Sequence, residues 1–158
     1  MRKQLCAALV LLVGLLATGT SRSAEPSGTA AVPLFVSLQD VKWDKIIPDL
    51  GDASPEISIL RVDPATKATQ LLIRTPKGIH VRKHWHTANE THMMITGKAV
   101  FACEGKRVEV GPGGFNFMPA KMVHEAWLPA GSLTFITVDA AWDVNWVEGP
   151  PTAADITR

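Results

Sequence analysis

From Leu34 onward the chain is cut into short apolar runs by frequent proline and glycine, among them Pro48, Gly51, Pro64, Pro76, Gly78, Gly97, Gly105, Gly111, Pro119 and Gly131. Between these marks lie EISILRV (56–62), ATQLLIRT (68–75), HMMITGKAVFACE (92–104), KRVEV (106–110), FNFMP (115–119), MVHEAWL (122–128) and LTFITVDAAW (133–142). They are rich in β-branched and aromatic residues and bounded by turn formers, which is the signature of strands. In EISILRV the apolar residues alternate, as on a strand with one face against a core. No stretch sustains a helical period. VSLQDVKWDKIIPDL (36–50) has room for one turn of helix, which Pro48 limits. Many short strands between regular turn signals predict an all-β sandwich or barrel.

The first residues break this pattern. MRKQLCAALVLLVGLLATGTSRSAEP opens with two basic residues, continues in an apolar run and ends in small residues. That is the layout of a Sec-type signal peptide, and the run is short for a membrane span. The expected organisation is a leader over 1–24, an N-terminal arm over 25–54, one barrel domain over 55–142 and a C-terminal tail over 143–158. The mature protein is expected in the periplasm or secreted, without a membrane anchor. A length of 158 residues fits a single domain with a core of its own. A formal charge of +1 with no basic stripe argues against a nucleic-acid partner. Loss of the leader removes Cys6 and leaves Cys103 alone, so no internal disulfide is expected. Cys103 reads as a small buried residue of a strand.

Chemistry concentrates in GIHVRKHWHTANETHMMITG, Gly78 to Gly97, which holds four of the five histidines. Alternate side chains of a strand share a face, so His84 and His86 point one way and Trp85 the other. Two imidazoles so spaced can reach one metal ion. Glu90 follows a short polar turn and can return a carboxylate to the same ion. His124, in another strand-like run, is the expected fourth ligand. Imidazole and carboxylate together suit a divalent first-row transition ion, with Zn, Mn, Fe, Ni and Cu all compatible. Four protein ligands leave positions open for a substrate where the ion takes five or six ligands.

These residues resemble the first motif of the cupin superfamily, G-x5-H-x-H-x3,4-E-x6-G, at every defined position from Gly78 to Gly97. Gly113, Pro119 and His124 are similar to its second motif, G-x5-P-x-G-x2-H-x3-N. There Lys121 stands in place of a glycine and Leu128 in place of an asparagine, and neither is a ligand position. The phrases HWHTANETH, EGKR, VHEAW and VNWV resemble small single-domain ChrR-like cupins. The resemblance implies one cupin barrel, a double-stranded β-helix or jelly roll, with one bound metal and a homodimeric assembly.

Arg82 and His80 share the parity of His84 and His86. A regular strand turns Arg82 into the pocket, where it can bind a substrate carboxylate; a bulge leaves it at the rim. His80 is expected at the surface or behind the ligands. His92 lies two residues past Glu90 and is expected beside the ligands rather than among them. Met94, Phe117, Met118, Trp127 and Phe135 are candidates for pocket wall or plain core. Strand parity turns Glu125 away from the metal, and no acid–base residue is singled out. The expected function is a metal-dependent enzyme acting on a small oxygen-bearing molecule, by dioxygenase, isomerase or lyase chemistry. The alternative is a non-catalytic cupin that binds a small molecule or senses a metal.

Overall fold

A computed structural model of the protein describes residues 32–157. The expected leader and the start of the arm lie outside the described residues. Twelve strands are described: β1 (Asp44–Lys45), β2 (Glu56–Val62), β3 (Thr69–Thr75), β4 (Gly78–Trp85), β5 (Glu90–Thr96), β6 (Ala99–Cys103), β7 (Lys106–Val110), β8 (Phe115–Met118), β9 (His124–Leu128), β10 (Ser132–Val138), β11 (Asn145–Trp146) and β12 (Ile156–Thr157). The only described helical segments are 3-10 turns at Leu38–Asp40, Pro48–Ala53 and Ala153–Asp155. The all-β prediction holds. The run 92–104 is two strands, because Gly97 takes a positive φ of 80° and turns the chain between β5 and β6. A Cβ at Gly97 would also lie 2.6 Å from the Ser132 hydroxyl, so the turn needs glycine on two counts.

The strands form two antiparallel sheets. One has the order β1-β2-β3-β10-β5-β8 and the other β11-β4-β9-β6-β7, with β12 also paired to β4. The chain passes repeatedly from one sheet to the other, which makes a jelly roll rather than two sequential sheets. Residues 143–157, expected as a tail, carry β11 and β12. Asn145 and Trp146 pair with Trp85 and His84, and Ile156 and Thr157 pair with Ile79 and Gly78. Gly78 permits this approach, since a Cβ there would lie 2.2 Å from the Thr157 hydroxyl.

The inward faces close on two clusters. Met94, Ala99, Phe101, Met118 and Ala126 fill one, and Leu71, Ala88, Ile136 and Val138 the other. Each large side chain removed from water here stabilises the fold by about 1.5–3 kcal/mol. Of the candidates for pocket wall or plain core, Met94 and Met118 are therefore core. Phe117 faces outward, half exposed.

Candidate metal centre

β4 carries the first two histidines, and β9 brings the third directly across from them. His84 and His124 are cross-strand partners. His86 lies just past the end of β4, where its carbonyl accepts the Lys121 N–H at 2.8 Å. Glu90 opens β5, in the opposite sheet, and its alternation puts His92 on the same inward face. The loop 87–89 crosses between the sheets. It is held by the Asp143 carboxylate, which accepts the Thr87 N–H at 2.9 Å, and by Asp139, which accepts the Asn89 N–H at 3.1 Å.

One ring nitrogen from each of His84, His86 and His124 lies within 4.8 Å of the other two, and all three residues are buried. Their other nitrogens are spent on backbone carbonyls. His84 Nδ1 donates to Arg82 O at 2.7 Å, His124 Nδ1 to Met122 O at 3.0 Å, and His86 Nδ1 to Asp143 O. A carbonyl only accepts, so each Nδ1 carries the proton and each Nε2 faces the centre as the free position.

Glu90 stands beside this triad, 2 % exposed. Its Oε2 lies 2.9 Å from His86 Nε2 and 3.1 Å from His92 Nε2, and its Oε1 accepts the Trp142 indole N–H at 3.2 Å. The Oε2 contacts are ion pairs by distance but not aligned hydrogen bonds, so Oε2 is a buried oxygen without a hydrogen-bond partner. His92 Nδ1 in turn donates to Asn116 Oδ1 at 2.7 Å.

Burial governs the charge of this cluster. It pulls the His84 imidazole down to about 3, with neighbouring His124 adding to the effect. It pulls His124 down to about 4, against the Met122 carbonyl. Burial also lowers His86, but the Glu90 carboxylate outweighs it and the net shift is upward. For Glu90 burial works toward the neutral acid, yet His92 and His86 hold it well below the usual carboxylate range. His84 and His124 are thereby held as neutral imidazoles, as metal ligands must be.

A cavity of about 80 Å³ opens on this cluster. His84, His86, Glu90, His92 and His124 all line it. Arg82 does not. Its guanidinium pairs with Asp155 at 2.7 Å, and its Nη2 donates to the Thr152 hydroxyl at 3.3 Å. The reason is a bulge: from Val81–Ala126 to His84–His124, β4 advances three residues while β9 advances two. The extra residue reverses the parity. Ile79 and Val81 face the cavity on one side of the bulge, and His84 faces it on the other. Of the two placements open for Arg82, the structure has the bulged one, with Arg82 outside the pocket. His80 also faces out, with Nε2 2.8 Å from Glu125 and its ring stacked on Trp127 at 4.5 Å.

Three contributors escape a reading by motif. Trp142 orients Glu90, the Asp143 carbonyl orients His86, and Trp146 packs its ring 5.3 Å from that of His84. Their one signal in the sequence is a pair of tryptophans flanking Asp143 soon after the last long strand.

Three comparisons place the chain among known proteins. The sequence profile of the AraC-like ligand binding domain matches residues 70–157. No curated protein matches the sequence. Among solved structures, an RmlC-like cupin from Shewanella frigidimarina NCIMB 400 is similar with a TM-score of 0.58 and 18% identity, over 70% of this chain and 93% of that one. An acetylacetone dioxygenase from Acinetobacter johnsonii gives a TM-score of 0.61 at 16% identity, over 85% and 90%. The polyketide cyclase RemF from Streptomyces resistomycificus gives 0.58 at 18%, over 73% and 86%. At these identities the likeness is one of fold, and the fold hosts unlike reactions. With the profile spanning most of the barrel and its buried histidines, the chain belongs to the AraC-like ligand binding domain family and has the cupin fold.

Proposed function

We propose that this cupin holds one divalent first-row transition ion, Zn, Mn, Fe, Ni or Cu, on His84, His86, Glu90 and His124. The observation that carries the reading is the fixed tautomer of the three buried imidazoles, each with Nδ1 spent on a carbonyl. A second feature fits the same group. Glu90 Oε2 is a buried anionic oxygen without a hydrogen-bond partner, beside His86 Nε2. A cation held there would offset that charge. His92, tied to Asn116, stands behind Glu90 and orients it.

The activity we favour is enzymatic, on a small oxygen-bearing molecule. The ion supplies Lewis acidity toward a substrate oxygen or, where redox-active, dioxygenase-type chemistry. The protein supplies a dry pocket and fixed ligands. Turnover is expected from metal-loaded protein challenged with small carbonyl and hydroxy compounds. Its loss is expected in His84→Ala and in chelated protein. Full turnover by either would exclude the mechanism.

A second reading has its own support, since the family is described by ligand binding rather than by catalysis. In that case loaded protein binds a small molecule saturably and leaves it unchanged. The phrases around the ligands keep the ChrR-like subtype as our reading, which a metal-sensing role would suit. We further propose export directed by residues 1–24 and a homodimer, the commonest closed assembly. Outward Met93, Ile95, Phe115 and Phe117 on β5 and edge strand β8 give a second copy an apolar face to cover. Cell fractionation and sedimentation test these points. A cytoplasmic protein, or a monomer over a wide concentration range, contradicts them.

A further inference from the structure

The polar groups of the cavity are few and already engaged. Apart from the four histidines and Glu90, its wall is built from Ile73, Ile79, Val81, Phe101, Leu128 and Ile136 together with prolines and the indoles of Trp142 and Trp146. The one other polar side chain, Thr134, donates its hydroxyl to Met94 Sδ at 3.3 Å. The Trp142 N–H is spent on Glu90. No lysine or arginine is among the described lining residues. The basic side chains just before His84 stay out of the cavity: the bulge in β4 turns His80 onto Glu125 and Arg82 onto Asp155, and Lys83 is exposed. A charge carried into this space away from the histidine cluster meets apolar side chains and neither a counter-ion nor a free donor, which is unfavourable.

We infer that the cavity takes a small molecule with a single oxygen-bearing head and an otherwise apolar, uncharged body. The head lies at the histidines, and the body lies against the isoleucines, Phe101 and the two indoles. Dicarboxylates, zwitterions, sugar acids and phosphate esters fall outside this class, because their second charge has no partner on the wall. The volume of about 80 Å³ keeps the body compact. This inference rests on the metal reading above, because it assigns the head to the ion.

The test uses full-length protein loaded with zinc, which avoids turnover by redox. Butanoate and butanedioate share a carboxylate head and a chain length and differ in the second charge. Binding is read by calorimetry and by the fluorescence of Trp142 and Trp146, with Trp142→Phe and Trp146→Phe to assign the signal. Butanoate is expected to bind at least tenfold tighter than butanedioate or 4-aminobutanoate. Val144→Lys, which places a cation at a half-buried lining position, is expected to narrow that gap for butanedioate alone. Equal binding of the three probes, or no binding of butanoate to zinc-loaded protein, overturns the inference and leaves the metal centre standing. Failure of zinc itself to bind overturns the metal reading first, and elemental analysis of the same sample separates the two failures.

Discussion

The two sides of β4 use the same residue types to opposite ends. Inward of the bulge, His84 faces His86 and His124 in a buried cluster. Outward, His80 and Arg82 meet Glu125 and Asp155 in a partly exposed ion-pair set, with Arg107 stacked on Trp127 at 3.9 Å. Outside, His80 and Arg82 each have an acidic partner and solvent nearby, so they are satisfied pair by pair. Inside, three imidazoles and His92 share a single carboxylate, and burial drives His84 and His124 neutral. A surplus of neutral nitrogen donors around one anion is a poor salt bridge and a good ligand set. One extra residue in a strand decides which histidine belongs to which side.

The largest test of that contrast is to remove one histidine from each side. His84→Ala and His124→Ala are expected to weaken metal affinity by more than about 100-fold, since even outer partners of ligands cost about 10–100-fold. His80→Ala and Arg82→Ala are expected to leave affinity unchanged and to cost about 0.2–1 kcal/mol of stability, as partly exposed pairs do. Metal titration and urea unfolding of the four variants provide both readings.

Asp143 links the sides less directly, through a carbonyl on His86 and a carboxylate on Thr87 and Asn145. Asp143→Ala keeps the carbonyl on His86 and removes only the carboxylate that ties the loop, so it is expected to lower metal affinity by less than about 10-fold while keeping the fold. An unchanged affinity by titration would reduce Asp143 to a loop tie.

The contrast also has a pH signature. His84 and His124 sit at about 3 and about 4 in the folded protein against 6.5 ordinarily. Between those values the unfolded chain binds protons that the folded chain does not. Stability of metal-free protein therefore falls as pH drops below 6.5, levelling near 4 for His124 and near 3 for His84. His86 acts in the opposite sense: its stabilising charge is complete below 6.5 and fades as pH rises through its raised value. The outer Asp155 is pushed up by burial but held below 3.8 on balance by Arg82 and Thr152, so its share is lost only at stronger acid. Urea midpoints taken from about pH 7 to about pH 4 isolate the inner histidines. A flat profile there contradicts their neutral burial.

The smallest expected effect is at Lys121. This lysine occupies the second motif's glycine position and adopts a positive φ of 64°. The turn keeps its shape at a local cost, and its N–H still reaches the His86 carbonyl at 2.8 Å. Lys121→Gly is expected to stabilise the protein by about 1 kcal/mol without changing metal affinity. A loss of stability in thermal unfolding counts against that account.

Much of this was legible in the sequence. The composition of EISILRV placed β2, although its alternation did not place the buried face, since Ser58 is buried while Ile59 and Val62 are about half exposed. The spacing of His84, His86, Glu90 and His124 marked residues that the fold does bring to one cavity, because strand geometry converts i, i+2 spacing directly into a shared face. The choice between a regular and a bulged β4 was not legible, since an extra residue between Val81 and His84 leaves no mark in composition, and the bulge is what turns Arg82 onto Asp155. Trp142, Asp143 and Trp146 were not legible as site residues either. They depend on the pairing of β11 with β4, far apart in the chain, and no local pattern encodes that pairing.

The central claim is that the buried histidines form a metal site. The most direct measurement is the metal content of purified, ion-exposed and desalted protein, compared with the His84→Ala/His124→Ala double variant by elemental analysis. The account predicts one equivalent per chain in the parent and none in the variant, with both folded by circular dichroism. A folded parent without stoichiometric metal, or a variant that retains it, contradicts the account.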